Sequence, residues 1–471
     1  MVTERAELVV VGAGPAGLMA AIEAARAGVD VAVVDENRRP GGQIFRQLPD
    51  DFVVMDGARL GTEFRNGRQL LGELAGLTIR FLLGSVVWGS FEDRVLEVVN
   101  DDRGFRLESE VIVFATGAHD RPVPLPGWTL PGVLSVGGAQ TLLKSQRILA
   151  GRRFLMAGTG PLQLVVTSQL ANAGAEIVAV AEAVPMQALL RHVWPLIQGW
   201  RLTRDGIAYR WNLLRARVPW IAPSILVRVE GNEEVERATI ATVDANWRPI
   251  PGTERTFKVD TVCVGYGLVP SVELLRLCGC ALRYDETVEA WLPERDEWFE
   301  TRKQGIYAVG DGAGIAGAAV ATEEGRVAGL AVAARLGRIS DAELRAAVSV
   351  PRRRLHRLGA FRAAMDAIYR VGPGLHELAL PDTVVCRCEE VQLLDVQAAI
   401  EDGAVTLGQV KAWTRAGMGS CQGRMCSVPI AHLIARQTGG TVEGAGVHSA
   451  LVPARPVAIR TLLADSQATR G

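Results

Sequence analysis

The stretch from Glu7 to Glu36, ELVVVGAGPAGLMAAIEAARAGVDVAVVDE, reads as strand, glycine turn, helix and second strand. Val9 to Val11 form an apolar run of the kind found in buried parallel strands. Gly12, Gly14 and Gly17 then spell a G-x-G-x-x-G turn. The first glycine permits a tight bend, the second lets backbone touch a pyrophosphate, and the third lets the helix sit against the sheet. Pro15 and Ala16 open the helix, whose unpaired N–H groups would face the phosphates. Ala20, Ala21, Ala24 and Ala25 give that helix a face of small residues. Val31 to Val34 form the second strand, and Asp35 stands 18 residues past Gly17, followed by Glu36. A carboxylate is needed there to accept the hydroxyls of an adenosine ribose. Strand, turn, helix and acid together predict a dinucleotide-binding βαβ unit in an α/β fold.

Three further pieces follow in order. RPGGQIFRQ brings Gly41, Gly42 and Gln43 close to a bound ring system, VIVFATGAHDRPVPLPG ends a strand on Ala115, Thr116 and Gly117, and GIYAVGDGAGIAGAAVA places Gly310 and Asp311 between a strand and a helix. The set resembles the two-dinucleotide-domain flavoprotein reductases, the thioredoxin-reductase-like class. That resemblance implies FAD, with Asp311 on its ribityl chain; the plain alternative for Asp311 is a helix cap.

Between the ATG and GD motifs, RRFLMAGTGPLQLVVTSQLANAGAEIVAVAEA repeats the βαβ pattern. Gly158 and Gly160 match the first two glycines, but Gln163 stands at the third, where a side chain pushes helix and strand apart. Glu182, ending the second strand, suits the unphosphorylated ribose of NAD. A working nucleotide site and a remnant kept for structure are both open here. The next segment, residues 186–220, interleaves Trp194, Trp200, Trp211 and Trp220 with six arginines. Such a mixture suits a protein interface or a membrane surface, and equally a helical segment packed on its own domain. Cys263 lies in a strand pattern as a core thiol, and Cys278 and Cys280 read as structural.

Four cysteines remain, in CRCEEV (Cys386, Cys388) and GMGSCQGRMC (Cys421, Cys426). Leu393, Val396 and Ile400 mark one helix after the first pair, Thr406 caps a second carrying Val410 and Trp413, and Ser427 starts a third, so the pairs fall on two loops. Zinc prefers C-x2-4-C knuckles, whereas a 2Fe-2S cluster needs four thiolates, two per iron. Arg387, Lys411, Arg415 and Arg424 offset an anionic cluster, Gly417, Gly419 and Gly423 admit backbone N–H groups to its sulfurs, and Cys426 at a helix start is favoured as thiolate. These residues rank a 2Fe-2S cluster above zinc.

The segment resembles the bacterioferritin-associated-ferredoxin type of 2Fe-2S domain, and TRAGMGSCQGRMC is similar to the form fused to a flavoprotein in the α subunits of heteromeric amino-acid dehydrogenases. These include opine and hydroxyproline or proline dehydrogenases and cyanide-forming glycine oxidase, with the sarcosine oxidase α chain related. PGVLSVGGAQTLL and RPVAIRTLLA extend the likeness over essentially the whole chain. The resemblance implies an electron-relaying role for a chain holding FAD and 2Fe-2S. It also allows FMN at a subunit interface and NAD or ATP in a nucleotide site. Implied partners are an electron acceptor, a D-amino-acid-oxidase-like flavoprotein β subunit of about 40 kDa, the size of a few domains, and a small third subunit. Amine oxidation would then take place in the β subunit. The six histidines are scattered, in keeping with that division. His119, beside the ATG motif, is either a cofactor contact or a satisfied loop residue. The rival reading is a self-sufficient NAD(P)H-dependent reductase.

The expected division is an FAD domain over 1–120 and 255–340, an NAD-binding-like insert over 121–254, a basic helical linker over 341–380, the 2Fe-2S domain over 381–440 and a tail over 441–471. A length of 471 residues suits two or three domains. A formal charge of −1 argues against nucleic-acid binding. The N-terminus does not read as a signal peptide, and no run reaches the ~18 apolar residues of a spanning helix. The expected location is cytoplasmic, with peripheral contact at the inner membrane left open.

Overall fold

The computed structural model of the chain describes residues 2–49, 51–52, 62–101, 103–192, 194, 197 and 199–461. The end of the tail, including the last residues of RPVAIRTLLA, lies outside the described residues. The first sheet is ordered 79–83, 31–35, 2–11, 103–114, 95–100, 85–92, and the strand Ile306–Ala308 also pairs with 103–114. Strands 79–83, 31–35, 2–11, 103–114 and 306–308 are parallel. Strands 85–92 and 95–100 extend the same sheet antiparallel. Helix Pro15–Arg26 follows the glycine turn as expected, and its alanine face packs on helix Ala318–Arg335. A Cβ on Gly325 would overlap the Ala16 carbonyl oxygen. This close approach brings the GD motif, at the far end of the chain's flavin-type region, beside the first glycine turn.

A second parallel sheet runs 220–221, 176–182, 153–158, 261–265, 133–135. A three-stranded antiparallel sheet, 224–230, 237–242 and 255–258, packs with it. The sequence pattern returns the chain to the first domain at 255. In the structure Thr261–Gly265 instead pairs with Arg153–Gly158 and belongs to the second sheet. The return comes at Leu268–Pro270, which pairs with Ala118–Asp120.

Residues 341–380 are more than a connection. Helix Ser349–Ile368 packs on Ala318–Arg335, with Arg354 donating to Glu323 at 2.7 Å, and it carries Arg357, Phe361 and Met365 into the wall of the central cavity. The last domain comprises helices Leu393–Glu401, Leu407–Thr414, Ser427–Thr438 and Val442–Ala445, with a short hairpin carrying Cys386. Thr406 caps the second of these helices in a reciprocal bond with Gln409. Val396, Ile400, Val410 and Ile434 fill the core. Trp413, by contrast, is more than half exposed.

Candidate functional site

One continuous cavity of about 2750 Å³ joins the two βαβ units. A single small-molecule pocket occupies about 300–1,000 Å³, so this cavity has room for a dinucleotide and more. Gly12, Gly14, Pro15, Ala16, Asp35, Glu36, Gly42, Gln43, Ala115, Thr116, Gly117, Gly310 and Asp311 all line it. Gly17 sits behind them, where a Cβ would strike the Gly12 carbonyl oxygen. Helix Pro15–Arg26 has no side-chain cap, so its first N–H groups are available to phosphate. At Gly14 the nearest atom to an added Cβ is the Gly42 Cα at 3.9 Å, which leaves backbone facing the cavity. These features fit the pyrophosphate of FAD.

Two acids are tied more tightly than their motifs alone imply. Asp35 accepts from Ala13 N at 2.6 Å and from Asn37 N and Nδ2 at 2.7 and 2.8 Å. Much of its carboxylate is spent holding the glycine turn, while Glu36 faces Arg455 at 3.6 Å. Asp311 accepts from Ala316 N and Gly317 N at 2.9 Å, which makes it a loop cap that also lines the cavity. No local motif marks the Arg295–Glu324 pair, 2.9 Å and largely buried, whose carboxylate also accepts from Gly310 N at 2.8 Å. Gln43 is held by Arg46 at 2.6 Å.

The second βαβ unit is rebuilt. The buried Gln163 side chain turns under the helix and donates to the Ala181 carbonyl at 3.1 Å, filling the slot of the third glycine. Glu182 accepts from Thr159 Oγ1 at 2.5 Å and Val184 N at 3.1 Å, and burial pushes its carboxyl up to about 7. The ring of Tyr369, just beyond helix Ser349–Ile368, lies over Gly160, its Cγ 3.9 Å from where a Cβ would stand. Thr159, Gly160, Glu182 and Tyr369 all line the central cavity.

The four cysteines converge as two pairs drawn across the loops. As free thiols, Cys386 is hydrogen-bonded to Cys426, and Cys388 to Cys421. Contact with Cys426 and the N–H groups of Gly417, Glu389 and Cys388 bring the Cys386 thiol down to about 6, while Cys426 is raised. Cys386 and Cys426 thus titrate as one hydrogen-bonded pair, with Cys426 at the start of helix Ser427–Thr438. A Cβ on Gly419 would overlap the Cβ of Cys388, so only glycine admits this approach. Two adjacent thiol pairs on glycine-rich loops fit the two-per-iron demand of a 2Fe-2S cluster. Of the basic residues, Arg415 pairs with Glu389 at 3.0 Å, Arg387 lies over Trp128, and Arg424 is turned toward the flavin-type domain. Cys263 is fully buried with its thiol pushed up to about 12, and Cys278 and Cys280 are free thiols.

The histidines are less scattered than they read. His376 and His432 stack at 3.6 Å, and His376 Nε2 lies 3.2 Å from Glu289 Oε2. The buried Arg121 donates to the same oxygen at 3.1 Å. A guanidinium on that oxygen opposes a metal ion, so the group acts as an ion-paired staple between the flavin-type and cysteine domains. Both ring nitrogens of His119 are buried, and its ring faces Glu273, Arg455 and the side chain and backbone of Arg424. On helix Trp200–Arg215, Trp200, Ile207, Trp211 and Leu214 form one stripe at helical spacing, each more than half exposed. The reading in which this segment packs on its own domain fails for these residues. No helix among the described residues is long and apolar enough to cross a membrane.

Residues 6–325 match the family model for pyridine nucleotide-disulphide oxidoreductases, and 384–436 match that for BFD-like [2Fe-2S] binding domains. An opine oxidase subunit of Rhizobium meliloti is 32% identical over 97% of this chain and 87% of its own length. Hydrogen cyanide synthase subunit HcnB of Pseudomonas aeruginosa is 35% identical over 92% of this chain and 93% of its own. In fold, the chain is similar to L-proline dehydrogenase from P. horikoshii, with a TM-score of 0.71 at 21% identity, over 98% of this chain and 80% of that one. The expected architecture, two dinucleotide-binding-type domains plus a small helical 2Fe-2S domain, is borne out. The chain belongs to the family of these opine oxidase and hydrogen cyanide synthase subunits: it is an oxidoreductase of the pyridine nucleotide-disulphide type, with FAD and a 2Fe-2S cluster as its cofactors.

Proposed function

We propose that the chain is the electron-transferring α subunit of a heteromeric flavin-dependent dehydrogenase for an amino acid, imino acid or opine, such as hydroxyproline, proline or glycine. It relays electrons between an acceptor and a partner FAD subunit. In this reading Gly12, Gly14, Pro15, Ala16 and Gly17 take the FAD pyrophosphate and Asp35 with Glu36 the ribose. Gly42, Gln43, Ala115, Thr116, Gly117, Gly310 and Asp311 enclose the remainder. Cys386, Cys388, Cys421 and Cys426 ligate the cluster. Bound FAD supplies two-electron chemistry and the cluster one-electron transfer.

The observation that carries the reading is Gln163, whose buried side chain fills the slot of the third glycine in the second βαβ unit. A self-sufficient NAD(P)H reductase needs that site for its hydride donor, and a side chain in place of the third glycine counts against it. Gly158, Gly160 and Glu182 then serve structure rather than NAD. Electrons must enter from elsewhere, and both relatives are named as subunits. The exposed stripe of helix Trp200–Arg215 borders the cavity and suits the partner, with FMN accommodated where the two chains meet.

Co-expression with the partner flavoprotein tests the reading. The two chains should co-purify, and proline, hydroxyprolines, glycine or opines should reduce an artificial acceptor only when both are present. Turnover of such a donor by the isolated chain would overturn it.

A further inference from the structure

The wall between the flavin-motif cavity and the cysteine loops contains three polar side chains that are neither motif glycines nor cysteines: His119, Glu273 and Arg424. His119 lies two residues past Gly117, on the strand Ala118–Asp120, and lines the cavity. The groups facing its ring are Glu273, Arg424 and Arg455, and burial favours its neutral form. Both ring nitrogens are buried. Burying a polar ring carries a free-energy cost, so its retention at this place needs a reason.

Two hydrogen bonds clamp the ATG motif to the segment that carries Glu273. Thr116 Oγ1 donates to the Ser271 carbonyl at 2.6 Å, and Ser271 N donates to the Gly117 carbonyl at 2.9 Å. Two residues on, Glu273 Oε1 lies 2.8 Å from Arg424 Nε, with both side chains largely buried. Arg424 stands between Cys421 and Cys426 in the chain, and its guanidinium also donates to the Cys421 carbonyl at 3.3 Å and the Ala454 carbonyl at 3.1 Å. Covalent bonds, hydrogen bonds and one ion-pair contact therefore join Thr116 to Cys421.

We propose that the Glu273–Arg424 contact, with His119 against it, is the crossing between the flavin site and the cluster site. The proposal rests on the relay reading above. Electronic coupling falls less steeply along bonded paths than across gaps, and this path joins the two sites. With both cofactors bound, the two-electron-reduced flavin would pass its electrons singly, each converting one ferric iron of the cluster to ferrous, and the electron acceptor would reoxidise the cluster between the two transfers. The proton the flavin gives up is taken by the neutral imidazole of His119. The ion pair holds the cysteine loop at this wall without adding net charge, and net charge near a cluster sets its potential.

The test uses the full chain loaded with both cofactors. Its flavin is photoreduced with 5-deazariboflavin, and flavin and cluster absorbance are followed in time. His119→Leu should slow flavin-to-cluster transfer by at least about fivefold, close to 1 kcal/mol in barrier, with the flavin spectrum unchanged, and His119→Gln, which hydrogen-bonds but takes no proton, should be slowed as much. Any smaller slowing in either variant overturns the role of His119. In redox titrations followed by EPR, Glu273→Gln should raise the cluster potential, because Arg424 is left uncompensated, and Arg424→Met should lower it. Shifts of the same sign, or none, overturn the role of the pair. Absence of any flavin-to-cluster transfer in the unaltered chain would instead sink the relay reading itself.

Discussion

Tyr369 stands beside Gly160: the ring's Cγ lies 3.9 Å from the position of a Cβ on that glycine, and Gln163 fills the slot of the third glycine of the same turn. The obstruction is local and removable. Tyr369→Ala combined with Gln163→Gly should restore an approach for pyrophosphate and strengthen NADH binding by about tenfold or more, worth roughly 1.4 kcal/mol. Titration of NADH fluorescence against the variant and the unaltered chain measures it. Equal affinity in the two would show that these side chains are not the barrier.

Glu182 makes the same region pH-sensitive. Its folded pKa is raised from 4.5 to about 7 by burial. The folded state thus holds a proton that the unfolded chain releases between those values. The contribution is complete below about pH 4.5 and is lost as pH rises toward 7, amounting to about 3 kcal/mol. Thermal melts should show stability falling over that interval. Glu182→Gln, which cannot ionise, should remove this part of the slope, and an unchanged slope would contradict the assignment.

The thiol pairs give a spectroscopic prediction. Cys421→Ser should abolish the visible 2Fe-2S absorption, whereas Cys263→Ser, in the core of the second sheet, should leave it intact. A full spectrum in Cys421→Ser would refute cluster ligation by that residue.

The stripe on helix Trp200–Arg215 predicts a docking defect. Trp211→Glu and Ile207→Glu both place charge on an exposed apolar face, so the chain alone should keep its flavin and cluster spectra. Co-purification with the partner subunit should be lost. Retained assembly, with loss of binding to anionic vesicles instead, would assign the stripe to a membrane surface.

Much of this is legible in the sequence because it rests on local rules. The glycine turn, the alanine face of the first helix and the Thr406 cap each follow from a few neighbouring residues, and the structure places them as expected. Strand 261–265 reads as part of the first sheet but belongs to the second, because TVCVG is apolar on both faces and pairs equally well in either parallel sheet. Tyr369 is invisible at that level because nothing local marks the end of a helix as the neighbour of a distant glycine. The bonds from Ala13 N to Asp35 and from Arg424 to Glu273 depend on side-chain direction across elements far apart in sequence. The same holds for the pairing of His376 with His432, which reading along the chain leaves as isolated residues.

The most direct measurement of the relay claim is anaerobic mixing of the purified, cofactor-loaded chain with NADH and, separately, NADPH while flavin absorbance is recorded. The account predicts that the flavin stays oxidised with either nucleotide and is bleached only when a donor substrate is added together with the partner subunit. Rapid bleaching of the isolated chain by NADH or NADPH would contradict it.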